Sequence, residues 1–287
     1  MENIEYFNFT SEIDSREDLY GHSFSYSDKN KKAIIVLLHD FCSHSGAIKN
    51  LRNNLSKALP QVVVSSFDFF GHGKSGGDRL APIDFESYLY DLKKFIEICR
   101  KKHELGSVTL VGVGLGASLA LAYQITYDDK NILGINLINP LLKINFLSKP
   151  FSRLLSDDYG ILSSLRIDHE LEGKDFHQDN DLIRKFNGDP LSLKFVTRGY
   201  LKMLRVLAKF VRTRAYFIDC PVQISVSTDD DIFSYRMIDL FKKGLSSDQI
   251  EHHSYEGKHF FFLENEEKFV LDLKSWVAGL IEQESES

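Results

Sequence analysis

Along the chain, short apolar runs alternate with stretches in which apolar residues recur every three or four positions. Ala33–Leu38 reads AIIVLL and predicts a strand buried on both faces. Asn50–Leu59 reads as helix and stops at Pro60, and Val62–Phe67 is the next strand. Between Asp84 and Glu104 the residues Phe85, Leu89, Leu92, Phe95, Ile96 and Cys99 mark one helical face. Strands are predicted again at Val108–Val111, Ile132–Ile138, Val222–Ser227 and Gln249–Tyr255. Helices are predicted at Leu115–Tyr127 and Ser234–Lys243, and over a C-terminal segment carrying Phe269, Leu273, Trp276, Val277 and Leu280 on one side. Strands this apolar, alternating with helices, predict an α/β fold. Its sheet is mostly parallel and has helices on both faces.

The rhythm breaks between Leu141 and Ala215, where no buried-strand run appears. Pro150, Gly160, Gly173, Gly188 and Pro190 punctuate a helical and loopy segment. Residues 141–215 are therefore predicted as a helical cap inserted in a core formed by 1–140 and 216–287. A cap over the C-terminal ends of the strands would stand where open α/β sheets bind ligands.

Charge adds one feature. The net charge of −6 argues against wholesale nucleic-acid binding. Within the insertion, however, the halves differ in sign. Leu155–Ile183 holds eight acidic and two basic residues, and Arg184–Arg214 holds nine basic residues against Asp189. Arg198, Lys202, Arg205, Lys209 and Arg212 step by helical spacings along one stripe. Such a stripe fits a surface for anionic lipid or an anionic substrate. It equally fits a solvated face balanced by the acidic half of the same insertion.

Three dispersed cysteines, Cys42, Cys99 and Cys220, suit reduced thiols. The first residues are acidic and lack an apolar leader, so the expected location is cytoplasmic, with peripheral membrane contact through the stripe. Leu105–Tyr127 carries no charge over a length that would span a bilayer. Gly112, Gly114 and Gly116 divide it, and the preferred reading is a buried strand, a turn and a buried helix.

That glycine turn is the most informative segment. As G-x-G-x-x-A it matches a dinucleotide fingerprint. That reading needs an acid at the end of the next strand, which instead ends Leu137-Ile138-Asn139-Pro140. The other reading is a nucleophile elbow, G-x-S-x-G, with Gly114 in the serine position. The sharp turn would form, but without a hydroxyl.

Other segments favour the elbow. Leu38-His39-Asp40-Phe41-Cys42-Ser43-His44-Ser45-Gly46 follows the first long strand, and Asp68-Phe69-Phe70-Gly71-His72-Gly73-Lys74-Ser75-Gly76-Gly77 follows the second. Asn187-Gly188-Asp189-Pro190-Leu191 lies in the insertion. Asp229-Asp230-Asp231 ends a late strand, and Gly257-Lys258-His259 precedes the last helix. Taken together, these segments make the chain resemble the monoacylglycerol lipase and lysophospholipase-like branch of the α/β-hydrolase family, often labelled serine aminopeptidase. The resemblance implies an α/β-hydrolase fold and carboxylic ester hydrolysis through an acyl-enzyme. It implies His259 as the base and Asp230 as the acid that orients it, with Asp229 as runner-up, and an oxyanion hole from the backbone N–H groups of Phe41 and Leu115. His39 and His44 match positions that shape the oxyanion loop. Cys42 is expected to be a packed thiol, and Ser118, one turn beyond Gly114, no substitute for the missing serine.

The chain departs from that pattern twice at the centre. Gly114 removes the nucleophile, and Asp40 replaces a glycine, placing negative charge where an oxyanion must develop. Three functional classes remain open: a non-catalytic binder of an acyl, lipid-like or protein partner; a weak hydrolase in which His259 activates water; and an esterase altered by substitution at 114. Gly114→Ser is expected to create activity if the rest of the site is intact. The resemblance implies no cofactor, and no ligand spacing for a metal occurs on one helix.

Overall fold

The computed structural model describes residues 3–27, 30–80, 83–145, 163–169, 171–234 and 236–286. The apolar runs become β3 (Ala33–Leu38), β4 (Val62–Phe67), β5 (Val108–Val113), β6 (Ile132–Ile138), β9 (Val222–Ser227) and β10 (Ile250–Tyr255). Two N-terminal strands, β1 (Asn3–Thr10) and β2 (Asp18–Ser25), join them in one eight-stranded sheet of order β1-β2-β4-β3-β5-β6-β9-β10. β2 is antiparallel to both β1 and β4, and the remaining neighbours are parallel.

Every residue of β3, β4, β5 and β9 is buried, because helices cover both faces of the sheet. α1 (Lys49–Ala58) packs with α9 (Glu266–Glu286); α2 (Phe85–His103) packs with α3 (Leu115–Tyr127). The uncharged stretch 105–127 is thus β5, a glycine turn and α3. Among the described residues no helix is long and apolar enough to cross a membrane.

Two features differ from the sequence-based expectation. The apolar pattern marks no element before Ala33, yet β1 and β2 form a hairpin there. In β1 only Phe9 is buried, so its sequence lacks the apolar run that marks a covered strand. Its stability comes from the ladder with β2, a partner that local patterning does not reveal. Between β6 and β9 the pattern predicts helix and loop alone. The described part contains α4 (Gly173–Phe176), α5 (Asn180–Gly188) and α6 (Arg198–Thr213). It also contains an antiparallel ribbon of β7 (Arg166–Asp168) and β8 (Phe195–Thr197), whose three-residue strands are too short to display a period. Pro150 and Gly160 lie outside the described residues. After β9 the predicted helix is α7 (Arg236–Lys242), and a single turn, α8 (Phe261–Glu264), precedes α9.

The basic stripe on α6 is not one exposed face. Lys202 and Lys209 are exposed, Arg205 and Arg212 half-buried, and Arg198 buried. The Arg212 guanidinium donates to the Leu142 carbonyl, which ties α6 to the segment after β6. The spacing correctly places five cations along a helix, but packing turns part of that row inward.

Candidate active site

Parallel strands bring their C-terminal ends to one edge of the sheet, and the candidate residues follow those ends. Asp40 comes two residues after β3, Gly114 directly after β5, Asp230 three after β9 and His259 four after β10. This is the edge at which open α/β sheets place their ligand crevice.

The turn between β5 and α3 requires its glycines for two separate reasons. Gly114 has φ +54° and ψ −108°, a conformation that L side chains rarely adopt. Gly112 and Gly116 are needed for close approach: a Cβ on Gly112 would collide with the α3 backbone, and one on Gly116 would lie 2.6 Å from the Leu38 carbonyl oxygen. The strand, turn and helix therefore pack closer than any side chain at these positions permits.

Asp40 decides what this turn can do. Its Oδ1 accepts a 2.7 Å hydrogen bond from the Leu115 N–H, and its Oδ2 lies 2.9 Å from His259 Nε2. A Cβ built on Gly114 would stand 2.6 Å from Asp40 Oδ2 and nearer still to Cγ and Oδ1. The carboxylate thus fills the space into which a side chain at 114 would project. It also occupies the N–H that the family resemblance assigns to the oxyanion. Gly114→Ser alone is consequently not the simple restoration expected from sequence.

On its other side, His259 Nδ1 lies 2.7 Å from Asp230 Oδ2. Asp230 Oδ1 accepts from the N–H groups of Ile232 and Phe233, which orients the carboxylate. Asp229 and Asp231 are exposed, so of the three aspartates it is Asp230 that meets His259. The imidazole is fully buried, with Phe176, Phe233 and Phe260 ringing it at centroid distances of 5.7, 5.0 and 5.1 Å.

Burial by itself would lower the His259 pKa; the carboxylates of Asp230 and Asp40 outweigh it and raise the pKa to about 10. Both ring nitrogens then carry protons at neutral pH, and Nε2 has no lone pair with which to accept another. The folded pKa lies above the ordinary value of 6.5, so this group's stabilisation is fully present below pH 6.5 and is lost as pH rises through about 10. Nitrogen-15 NMR should therefore find His259 as imidazolium at pH 8, and Asp40→Asn should bring its titration down. Neutral-imidazole shifts at pH 8 would contradict the two-carboxylate account.

Several neighbours hold the arrangement. His39 Nε2 accepts from the Phe69 N–H at 3.0 Å, which leaves Nδ1–H to donate to the Asp40 carbonyl at 2.8 Å. Asp68 receives the N–H groups of Ser45 and Lys74, each at 2.7 Å, and so joins the loops after β3 and β4. Asn139 donates to the His259 carbonyl at 2.7 Å and accepts from the Ser227 N–H at 2.8 Å. In the sequence Asn139 marks only a strand end; its Asn-Pro context signals a turn but not this bridge. Phe41 is fully buried, with its carbonyl 3.0 Å from His72 Nε2.

Two substitute nucleophiles fail on geometry. Ser118 Oγ donates to the Leu141 carbonyl inside α3's packed surroundings. Cys42 Sγ lies 3.4 Å from His169 Nε2, a pairing that sequence did not foresee. His169 Nδ1 accepts from Leu171 N–H, so Nε2 carries the proton and gives it to the Leu193 carbonyl at 2.9 Å. That nitrogen cannot take a proton from the thiol, and burial pushes the Cys42 pKa well up. Among the described residues, no group of three His, Cys, Asp or Glu side chains is arranged to hold a metal ion.

The family model for "Serine aminopeptidase, S33" matches residues 29–266. This chain belongs to that family. Its relatives include the monoacylglycerol lipase of Mycolicibacterium smegmatis, 22% identical over 255 residues, or 88% of this chain and 90% of that one. The uncharacterized protein YnbC of Escherichia coli is 26% identical over 204 residues, 69% of this chain. The match spans only 34% of that relative's length. Among solved structures, the monoacylglycerol lipase of Paleococcus ferrophilus superposes with a TM-score of 0.79 at 24% identity, covering 92% of this chain and 98% of that one. The chain therefore has an α/β-hydrolase fold and is related to monoacylglycerol lipases and esterases.

Proposed function

We propose that this family member does not hydrolyse esters by the serine route and instead acts as a non-catalytic binder of an acyl or lipid-like ligand between its core and a cap formed by residues 141–215. One observation carries the reading: the Asp40 carboxylate stands in the space of the nucleophile's side chain, held by Leu115 N–H and His259. Gly114 and Asp40 also fit each other, since a carboxylate at this place requires the missing Cβ. That complementarity favours a built-in arrangement over a lone substitution at 114.

The alternative of a hydrolase with His259-activated water draws little support from the site. A general base must hold a free lone pair near the operating pH, and the two carboxylates keep His259 protonated. The anionic-surface role of α6 remains a narrower proposal, since Lys202 and Lys209 are its exposed cations.

A fluorophosphonate probe should leave the unmodified chain unlabelled, and short acyl esters should turn over no faster than with buffer. Labelling mapped to any serine of the native chain would overturn the reading.

A further inference from the structure

Away from the site, one buried side chain is left wholly unsatisfied. His22 lies on β2, next to the edge strand of the sheet, and is 2% exposed. Neither of its ring nitrogens has a hydrogen-bond partner among the described residues. A neutral imidazole carries one N–H and one lone pair, so two polar functions are buried without a match. A second proton would deepen the deficit, because it adds a buried charge and another orphan donor.

The surroundings oppose that proton. Tyr6 on β1 stands opposite His22 in the ladder, with ring centroids 6.1 Å apart, and the Tyr20 ring on β2 is 6.0 Å away. From α1 comes Arg52, a 7% exposed guanidinium whose Nε and Nη2 donate to the neutral Asn53 side chain. From the loop after β4 comes Lys74, its ammonium 4.7 Å from the centre of the Tyr20 ring. Both cations disfavour a charged His22. Asp68 favours it, but this carboxylate already accepts from the N–H groups of Ser45 and Lys74. β4 contributes uncharged Ser66 as the other neighbour in the ladder. Burial first, and then Arg52, push the His22 pKa down to about 4.

β1 is the element that yields at least cost. Its neighbour in the sheet is β2 alone, and only Phe9 of its eight residues is buried. Opening it gives up the contacts of Phe7 and Phe9 with Phe95, at centroid distances of 5.9 and 5.5 Å. α1 is harder to move, because Leu51 and Leu55 are buried in the core and the helix packs on α9. Glu5, the charged residue of β1, pairs with Lys102 of α2 on the opposite face of the sheet.

We propose that β1 is an acid-operated flap: when His22 takes up a proton, β1 detaches from β2, the imidazolium reaches water, and the edge of β2 is left unpaired. Such a bare edge is open to pairing with another strand. The folded pKa lies below the ordinary 6.5, so protons favour the open form. The closed form is fully favoured above pH 6.5. It loses about tenfold per pH unit below that and levels off near pH 4.

Amide exchange of the full chain, corrected for the intrinsic effect of pH, tests the proposal. Between pH 7.5 and pH 5 the opening of β1 should become about 30-fold more favourable. The amides of β3 and β5 should stay protected, and the ring signals of His259 should not move. His22→Phe removes the titrating group and should abolish the effect, although Glu5 and Asp68 remain. Arg52→Gln removes a cation beside the ring and should reduce the effect by about threefold, a second measure that holds even where the phenylalanine variant does not fold. No acceleration of β1 at pH 5 would overturn the proposal, as would an undiminished acceleration in His22→Phe or in Arg52→Gln. Equal acceleration in β3 and β5 would also overturn it, since the opening would then be global.

Discussion

Gly114→Ser alone should remain unlabelled by fluorophosphonate, while Gly114→Ser combined with Asp40→Gly should label and hydrolyse short acyl esters. Two physical costs oppose the single change. A side chain at φ +54° in this turn costs about 1–3 kcal/mol. Its Cβ also overlaps the Asp40 carboxylate, which is anchored on Leu115 N–H and His259. Removing Asp40 frees three things together: the space for Oγ, the Leu115 N–H, and the Nε2 face of His259. With one carboxylate instead of two, His259 can again lose a proton and accept one from serine. Base catalysis supplies ~10²–10⁴-fold and one oxyanion donor about 10²–10³-fold, so the double variant should stand far above either single one. Adding His259→Ala should abolish the gain. Strong labelling of Gly114→Ser by itself would show that Asp40 moves aside freely, and the displacement account would fail.

His259→Ala should be among the most destabilising single changes in the chain, by about 3–5 kcal/mol. The imidazolium lies between two carboxylates, all three groups buried, with side-chain exposures of 0%, 0% and 4% for His259, Asp40 and Asp230. Truncating the cation leaves two carboxylates facing a cavity with nothing between them. Asp40→Asn should be much milder, since a matched His259–Asp230 pair survives it. Combining Asp40→Asn with His259→Ala should recover part of the loss, because one buried charge fewer is then stranded. Urea unfolding at pH 7 measures all three variants. If His259→Ala proved no worse than Asp40→Asn, the imidazole would not be the charge that balances this cluster.

The core strands are legible because a strand covered on both faces must be apolar at nearly every position. β3, AIIVLL, therefore announces itself as a six-residue run, whereas β9, VQISVS, alternates apolar with polar residues although all six are buried. β1 does not, because a mostly exposed edge strand is defined by its partner rather than by its own composition. On α6 the helical period correctly groups Arg198 with Lys202 and Lys209. Which of them faces water depends on what the helix packs against, including α3 and the Leu142 carbonyl. The His169–Cys42 contact joins residues 127 positions apart, and no local pattern indicates it.

For the site itself, sequence determined the parts. Glycines at 112, 114 and 116 dictate a close, side-chain-free turn, and the absence of a hydroxyl at 114 is written in the chain. Motif order placed an acid after one late strand and a histidine after the last. Tertiary structure alone decided what occupies the vacancy. Asp40 is 75 residues from Leu115 and 219 from His259, and its carboxylate bridges them only because parallel strands deliver all three to one sheet edge. A charge that sequence could name only as opposing an oxyanion is, in the fold, the group that joins the Leu115 N–H to the His259 ring. Residue identity is local and readable, whereas the position of a carboxylate oxygen to within an ångström depends on every strand and loop that carries it.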